Sequence, residues 1–184
     1  MKPEAGKILI SDPFLRDPNF ARTIVLVVEH NDNGTLGFVL NNSIDLTLKA
    51  ALKNDKLPEK EIYQGGPVEL NTIHFLHTVG HIIGQSIEIL PKVFWGGDFN
   101  KAINILEKNP QMANQFVFFL GYSGWGAGQL EDELHEGAWI VGNIGGSTVF
   151  NSNLDSTELW KKAMQNLGGK YALLINSPIN PELN

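Results

Sequence analysis

The 184-residue chain has no cysteine. Disulfides, thiolate nucleophiles and zinc–thiolate sites are therefore excluded, and the absence fits a reducing compartment. No apolar run approaches the roughly 20 residues that a membrane span needs. The opening stretch MKPEAGKILISDPF sets one lysine ahead of Pro3 and Glu4 and has no apolar core, so it does not read as a secretory signal. Positive charge is scarce: 14 Lys and Arg stand against 20 Asp and Glu, for a net charge of −6 and a pI near 5.3. Nucleic-acid binders draw most of their affinity from a basic excess or stripe that neutralises phosphate. The one lysine row here, Lys49, Lys53, Lys56 and Lys60, reads as a solvated helix face. The expectation is a cytoplasmic protein without membrane association or direct nucleic-acid binding.

What is present is a single-domain composition. Hydrophobic residues make up 42% and charged residues 18%, a folded and not a disordered balance, and one domain over residues 1–184 is long enough to bury a core. GKILIS (6–11) reads as a strand, and TIVLVVEH (23–30) as a strand buried on both faces. NDNG (31–34) supplies turn residues that tolerate positive φ, and TLGFVLN (35–41) returns as the second arm of a hairpin. A helix is expected over 46–54, strands over 62–68, 73–79, 86–90 and 93–97, and a helix over 98–109 capped by Asp98. QFVFFLGY (115–122) is the most apolar strand and is placed centrally. A glycine-rich corner, a short helix (128–137), a strand at AWIVG, a last helix opened by the Asp155/Glu158 capping box and a final strand over 171–176 complete the reading. Strands follow one another through short turns, which argues α+β with a mixed, mainly antiparallel sheet.

Four motifs invite chemistry and fall short of it. At 121–128 the spacing of Gly121 and Gly126 matches a phosphate loop, but Ala127 stands where lysine belongs and Glu131, Asp132 and Glu133 would repel phosphate. GYSGW puts Ser123 at a nucleophile elbow, yet Trp125 occupies the position that must be glycine. His77 and His81 are four apart without the glutamate of a zinc helix, on a stretch that reads as strand and turn. His74 and His77 fall on opposite faces of a strand. No metal and no cofactor is expected.

Two looser sets remain as candidate binding residues. Asp12, Arg22, Glu29, His30 and Asp98 flank strand ends and include a carboxylate, an imidazole and a guanidinium. Gly65, Gly66, Trp95, Tyr122 and Trp125 belong to glycine-rich corners; if these cluster they form an aromatic-walled groove for a small polar ligand or a peptide.

Taken in order, GKILISDPFLRDPNFARTIVLVVEHNDNGTLGFVLN (6–41), YQGGPV (63–68), FLHTVG (75–80), WGGD (95–98) and FFLGYSGWGAGQLEDEL (118–134), with Trp139 after it, resemble the AlgH/YqgE family of bacterial proteins over nearly the whole chain. The resemblance implies a strongly bent, partly bifurcated sheet curled into an incomplete barrel, with helices packed outside. It implies no established activity, catalytic residue or cofactor, and it brings a family label as a transcriptional regulator. Departures are small: relatives often carry alanine at the Ser123 position and proline at the Ala127 position. No helix-turn-helix pattern or basic recognition helix supports that label as direct DNA binding. The leading expectation is a non-enzymatic binding or regulatory protein. The alternatives are a hydrolase-like enzyme using the Asp12, Arg22, Glu29 and His30 rim and, more weakly, a direct DNA-binding regulator.

Overall fold

The computed structural model describes residues 1–150 and 156–175. Among them are strands β1 (Lys7–Ser11), β2 (Ile24–Asn31), β3 (Gly34–Val39), β4 (Ser43–Thr47), β5 (Glu61–Gln64), β6 (Val68–His77), β7 (Ile87–Leu90), β8 (Val93–Trp95), β9 (Phe116–Gly126) and β10 (Trp139–Asn143). The helices are α1 (Leu48–Leu52), α2 (Gly80–Ile83), α3 (Phe99–Lys108), α4 (Gln129–His135), α5 (Gly146–Val149), α6 (Ser156–Leu167) and α7 (Gly169–Leu174). The sheet runs β10-β1-β2-β3-β9-β6-β8-β7 with antiparallel neighbours, while β5 joins β9 in parallel and carries β4 on its outer side. The sheet does not close on itself: β10 and β7 end it.

β9 is the hinge of this architecture. Up to Leu120 it is sandwiched between β5 and β6; from Ser123 it pairs with β3 instead. Gly121 sits at the change of partner with φ +66°, and a Cβ there would lie 2.6 Å from the Val68 carbonyl oxygen. Only glycine adopts this backbone without strain or collision. The split separates three apolar clusters. Val117 and Phe119 join Ile10, Leu26 and Phe38 in the cluster inside the curl. Phe116 and Phe118, alternating with them, face a second cluster roofed by Leu48 of α1, Ile83 of α2 and Leu106 of α3. Leu9, Val25, Val27 and Val39 point to a third, covered by Leu130 of α4. The first half of β9, Phe116 to Phe119, is therefore an unbroken apolar run because both faces are core there, each large side chain contributing about 1.5–3 kcal/mol by leaving water. α6 differs from the outer helices: its Trp160 and Met164 enter the inner cluster, and the Trp160 indole donates to the Ser11 carbonyl at 3.0 Å.

Several expectations need correction. The final strand expected over 171–176 gives way to helix where the stretch is described: Tyr171 to Leu174 lie in α7, in keeping with the helix preference of Ala172, Leu173 and Leu174. The strand expected to end at Tyr122 runs on to Gly126, so most of the glycine-rich corner is strand and the chain turns only at Ala127 and Gly128. Gly80 and His81, read as turn, open the short α2. β4 was hidden: SIDLT alternates Ile44 and Leu46 toward the second cluster, and helix α1 starts only at Leu48. Asp155, the expected cap of the last helix, lies outside the described residues.

Candidate functional site

The functional candidates are set by one irregularity in the hairpin. β2 and β3 pair Val27 with Gly37 and then Glu29 with Leu36, so Val28 is an extra residue on β2. Regular alternation would send Glu29 to the side of Val25 and Val27, beneath the acidic α4. The bulge re-aims it. Cross-strand partners share a face, so Glu29, Leu36 and Gly124 form a row across β2, β3 and β9, with the paired Tyr122 and Val68 beside it. These residues line an open cleft of about 400 Å³ whose rim also includes Asn31 and Asn33. That volume lies in the range of small-molecule sites.

The cleft has an apolar floor and a single charged lining side chain. Gly124 makes room for the Tyr122 ring: a Cβ at 124 would lie 3.1 Å from its Cε2. Asn31 is fixed at both ends, donating from Nδ2 to Glu29 Oε1 at 2.8 Å and accepting the Asn33 amide at 2.8 Å. The second oxygen of Glu29 pairs with no described residue, and the side chain is exposed. Behind Tyr122, the His74 ring meets it edge-on at 5.8 Å and contacts Thr72 Oγ1 at 3.2 Å. Burial pushes the His74 pKa down, against the weaker opposing pull of Glu69, so the imidazole is biased to its neutral form.

The other face of the same corner is closed. His30, next in sequence to Glu29, turns away from the cleft: its Nδ1 meets Thr35 Oγ1 at 2.7 Å and its Nε2 lies 3.5 Å from Glu131 on α4. Trp125 and Trp139 both donate their indole N–H to Glu133 Oε2, at 2.9 and 2.7 Å. Gln129 donates to Glu133 Oε1 at 2.9 Å and accepts the Gly126 amide at 3.0 Å. Phe20 stacks on the Trp125 indole and meets the Trp139 indole edge-on. One carboxylate thus ties helix, sheet and loop together. Gln129 and Glu133 escaped the sequence reading as a pair, although their i,i+4 spacing on one helix face was visible.

The remaining candidates go elsewhere. Asp12 and Arg22 flank the β1–β2 loop, at the far end of β2 from Glu29; seven residues of strand span roughly 23 Å. Asp12 accepts the Phe14 amide at 2.9 Å, and the Arg22 guanidinium lies over Trp160 at 5.2 Å. Arg22 also borders a smaller hollow of about 240 Å³ with Asn19, Asn42 and Ser43. Asp98 caps α3 by accepting the Lys101 amide at 3.0 Å. Trp95 packs toward Phe38 in the inner cluster. Gly65 and Gly66 let their turn lie flat on β9, where a Cβ would sit 2.5 Å from the Gly121 oxygen and 2.3 Å from the Tyr122 backbone. Ser123 is fully buried and donates to the Gly65 carbonyl at 3.0 Å, a packing role for a hydroxyl at an elbow-like position. His77 is fully buried and His81 exposed, so the pair shares no site. Among the described residues no group of three or more His, Cys, Asp or Glu is placed to hold a metal ion. None of the described helices is long and apolar enough to cross a membrane.

Of the ten candidate positions, the cleft thus gathers Glu29 and Tyr122; Trp125 also borders it, with its indole turned to Glu133 on the closed face. Asn31, Asn33, Leu36, Val68 and Gly124 join them, unannounced by any sequence motif.

Known proteins resemble this chain over nearly its whole length. A family model described as AlgH-like matches residues 8–172. A UPF0301 protein of Pelodictyon phaeoclathratiforme is 39% identical over 183 residues, covering 100% of this chain and 97% of that one. One from Cytophaga hutchinsonii is 40% identical over 180 residues, covering 97% and 98%. The solution structure of AlgH from Pseudomonas aeruginosa superimposes with a TM-score of 0.73 at 31% identity, covering 97% of this chain and 98% of that one. A crystal structure of a Corynebacterium diphtheriae protein gives a TM-score of 0.79 at 19% identity over 96% and 93%, a likeness of fold.

Proposed function

The chain belongs to the AlgH-like family, and from that premise we propose that it is a non-enzymatic binding protein of the cytoplasm that holds a small polar ligand in the cleft of Glu29, Leu36, Tyr122 and Gly124. The observation that carries the reading is the bulge at Val28, which turns a carboxylate out of regular alternation into an apolar, aromatic-floored cleft. Bulges are over-represented where a side chain has to be re-aimed for use. Acid–base or nucleophilic chemistry would want partners within hydrogen-bond reach of one another. Here Asp12 and Arg22 stand at the opposite end of β2 and His30 on the opposite face, which weighs against the hydrolase-like alternative. The net charge of −6 weighs against direct DNA contact, so a regulatory role would run through the ligand or a protein partner.

Native mass spectrometry of the protein purified from its host tests the reading. A retained small molecule, lost when Gly124→Trp fills the cleft, is the expected result. A ligand retained equally by Gly124→Trp would place binding elsewhere and overturn it.

A further inference from the structure

We propose that the ligand of this cleft is a small organic cation, bound through a guanidinium or ammonium group by the Glu29 carboxylate and the Tyr122 ring; the inference rests on the binding reading above.

Four observations converge on a positive charge. Glu29 is the charged side chain among the lining residues, and no Lys or Arg stands among them to neutralise it or to receive an anion. Its Oε1 is oriented by Asn31, whose own oxygen is held by the Asn33 amide, so the carboxylate is pre-positioned by a relay that leaves Oε2 open. A guanidinium or ammonium N–H reaching Oε2 makes a charge-assisted hydrogen bond, about twice the strength of a neutral one. Tyr122 supplies an aromatic surface in the same cleft as this carboxylate, and Gly124 keeps a side chain from crowding the ring. A cation near an aromatic face gains attraction from the ring quadrupole, which a neutral or anionic group lacks. The nearest imidazole behind the ring, His74, is biased to its neutral form and does not oppose a cation. The cleft's size favours a free small molecule, and its floor of Leu36, Val68 and Tyr122 suits a short alkyl chain attached to the charge.

The test uses small probes that differ in charge, followed by two-dimensional 15N–1H NMR of the full chain. Butylguanidinium is expected to give saturable shifts at the amides of Glu29, Leu36, Tyr122 and Gly124. Butylurea, its neutral counterpart, and butyrate are expected to bind at least tenfold more weakly. Glu29→Gln, an exposed near-isosteric change, is expected to weaken butylguanidinium by at least tenfold while amides away from the cleft stay in place. Equal shifts from butylurea or butyrate, or undiminished affinity in Glu29→Gln, would overturn the cation while sparing the cleft as a binding site. Silence of the cleft amides toward all three probes would remove both readings. A basic tetrapeptide, acetyl-Gly-Arg-Gly-Gly amide, binding more than tenfold tighter than butylguanidinium would overturn the free cation in favour of a protein segment.

Discussion

The corner where β2, β3 and β9 meet has two faces, and they treat their carboxylates in opposite ways. Under α4, Glu133 is saturated: two indoles and one amide donate to it, and Phe20 packs against both indoles. On the cleft side, Glu29 is held by one oxygen and open at the other. The closed face has the marks of architecture, since both indoles, Gln129 and both Glu133 oxygens find their partners within the chain. The open face has spare hydrogen-bonding capacity at a pre-set position, the condition for recognising something else. The lesson is that the chain's signature, GYSGWGAGQLEDEL with Trp139, identifies the family chiefly through its closed face, while the cleft draws on a bulge that no motif announces.

Breaking the closed face should cost most. Trp139→Ala removes a buried indole and orphans one hydrogen bond to Glu133; a loss of about 3–5 kcal/mol is expected, read as a lower urea midpoint. Glu133→Gln keeps the shape, but its NH₂ faces either the indoles or the Gln129 Nε2 donor, so a loss of about 1.5–3 kcal/mol is expected by the same assay. Gly121→Ala probes the hinge that joins the two halves of β9, and about 1–3 kcal/mol should be lost through the positive φ and the approach to Val68.

A smaller effect should come from acid. His77 lies among Phe75, Phe94 and Phe116, and burial holds its pKa below 6.5, outweighing its hydrogen bond to the Gly96 carbonyl. The folded state therefore binds this proton less readily than the unfolded chain. Stability is complete above 6.5 and falls as the pH drops from 6.5 toward the lower folded value, with His74 adding in the same direction. Urea midpoints measured from about pH 8 down to about pH 5 should show the decline, and His77→Phe should flatten it. A decline of equal steepness in His77→Phe would assign the acid sensitivity to other groups.

Much of this was legible in the chain. The hairpin, the central position of FVFFL and the Asp98 cap follow from local chemistry, and the structure has them. The elements that were not legible depend on tertiary context. YALL suits a helix or a strand until neighbours decide, and here the chain past Gly168 and Gly169 winds as α7 and pairs with no strand. The glycines of GYSGWG suggested a turn because sequence cannot distinguish a glycine needed for φ from one needed for space; Gly121 is the first kind and Gly124 the second. Glu29 and His30, adjacent in sequence, read as members of one rim. The bulge that decides which face each one takes is a register event between two strands, invisible to either strand alone.

Glu29→Gln should show the smallest effect on stability, because the side chain is exposed and its one bond to Asn31 can be retained by the amide. The most direct test of the contrast is to unfold Glu29→Gln and Glu133→Gln in urea side by side with the unmodified chain. The account predicts a shift within about 0.5 kcal/mol for Glu29→Gln and a clearly lowered midpoint for Glu133→Gln, at an unchanged denaturant slope. Equal destabilisation by the two would show that Glu29 is held as structure too, and would contradict the division between a closed face and an open one.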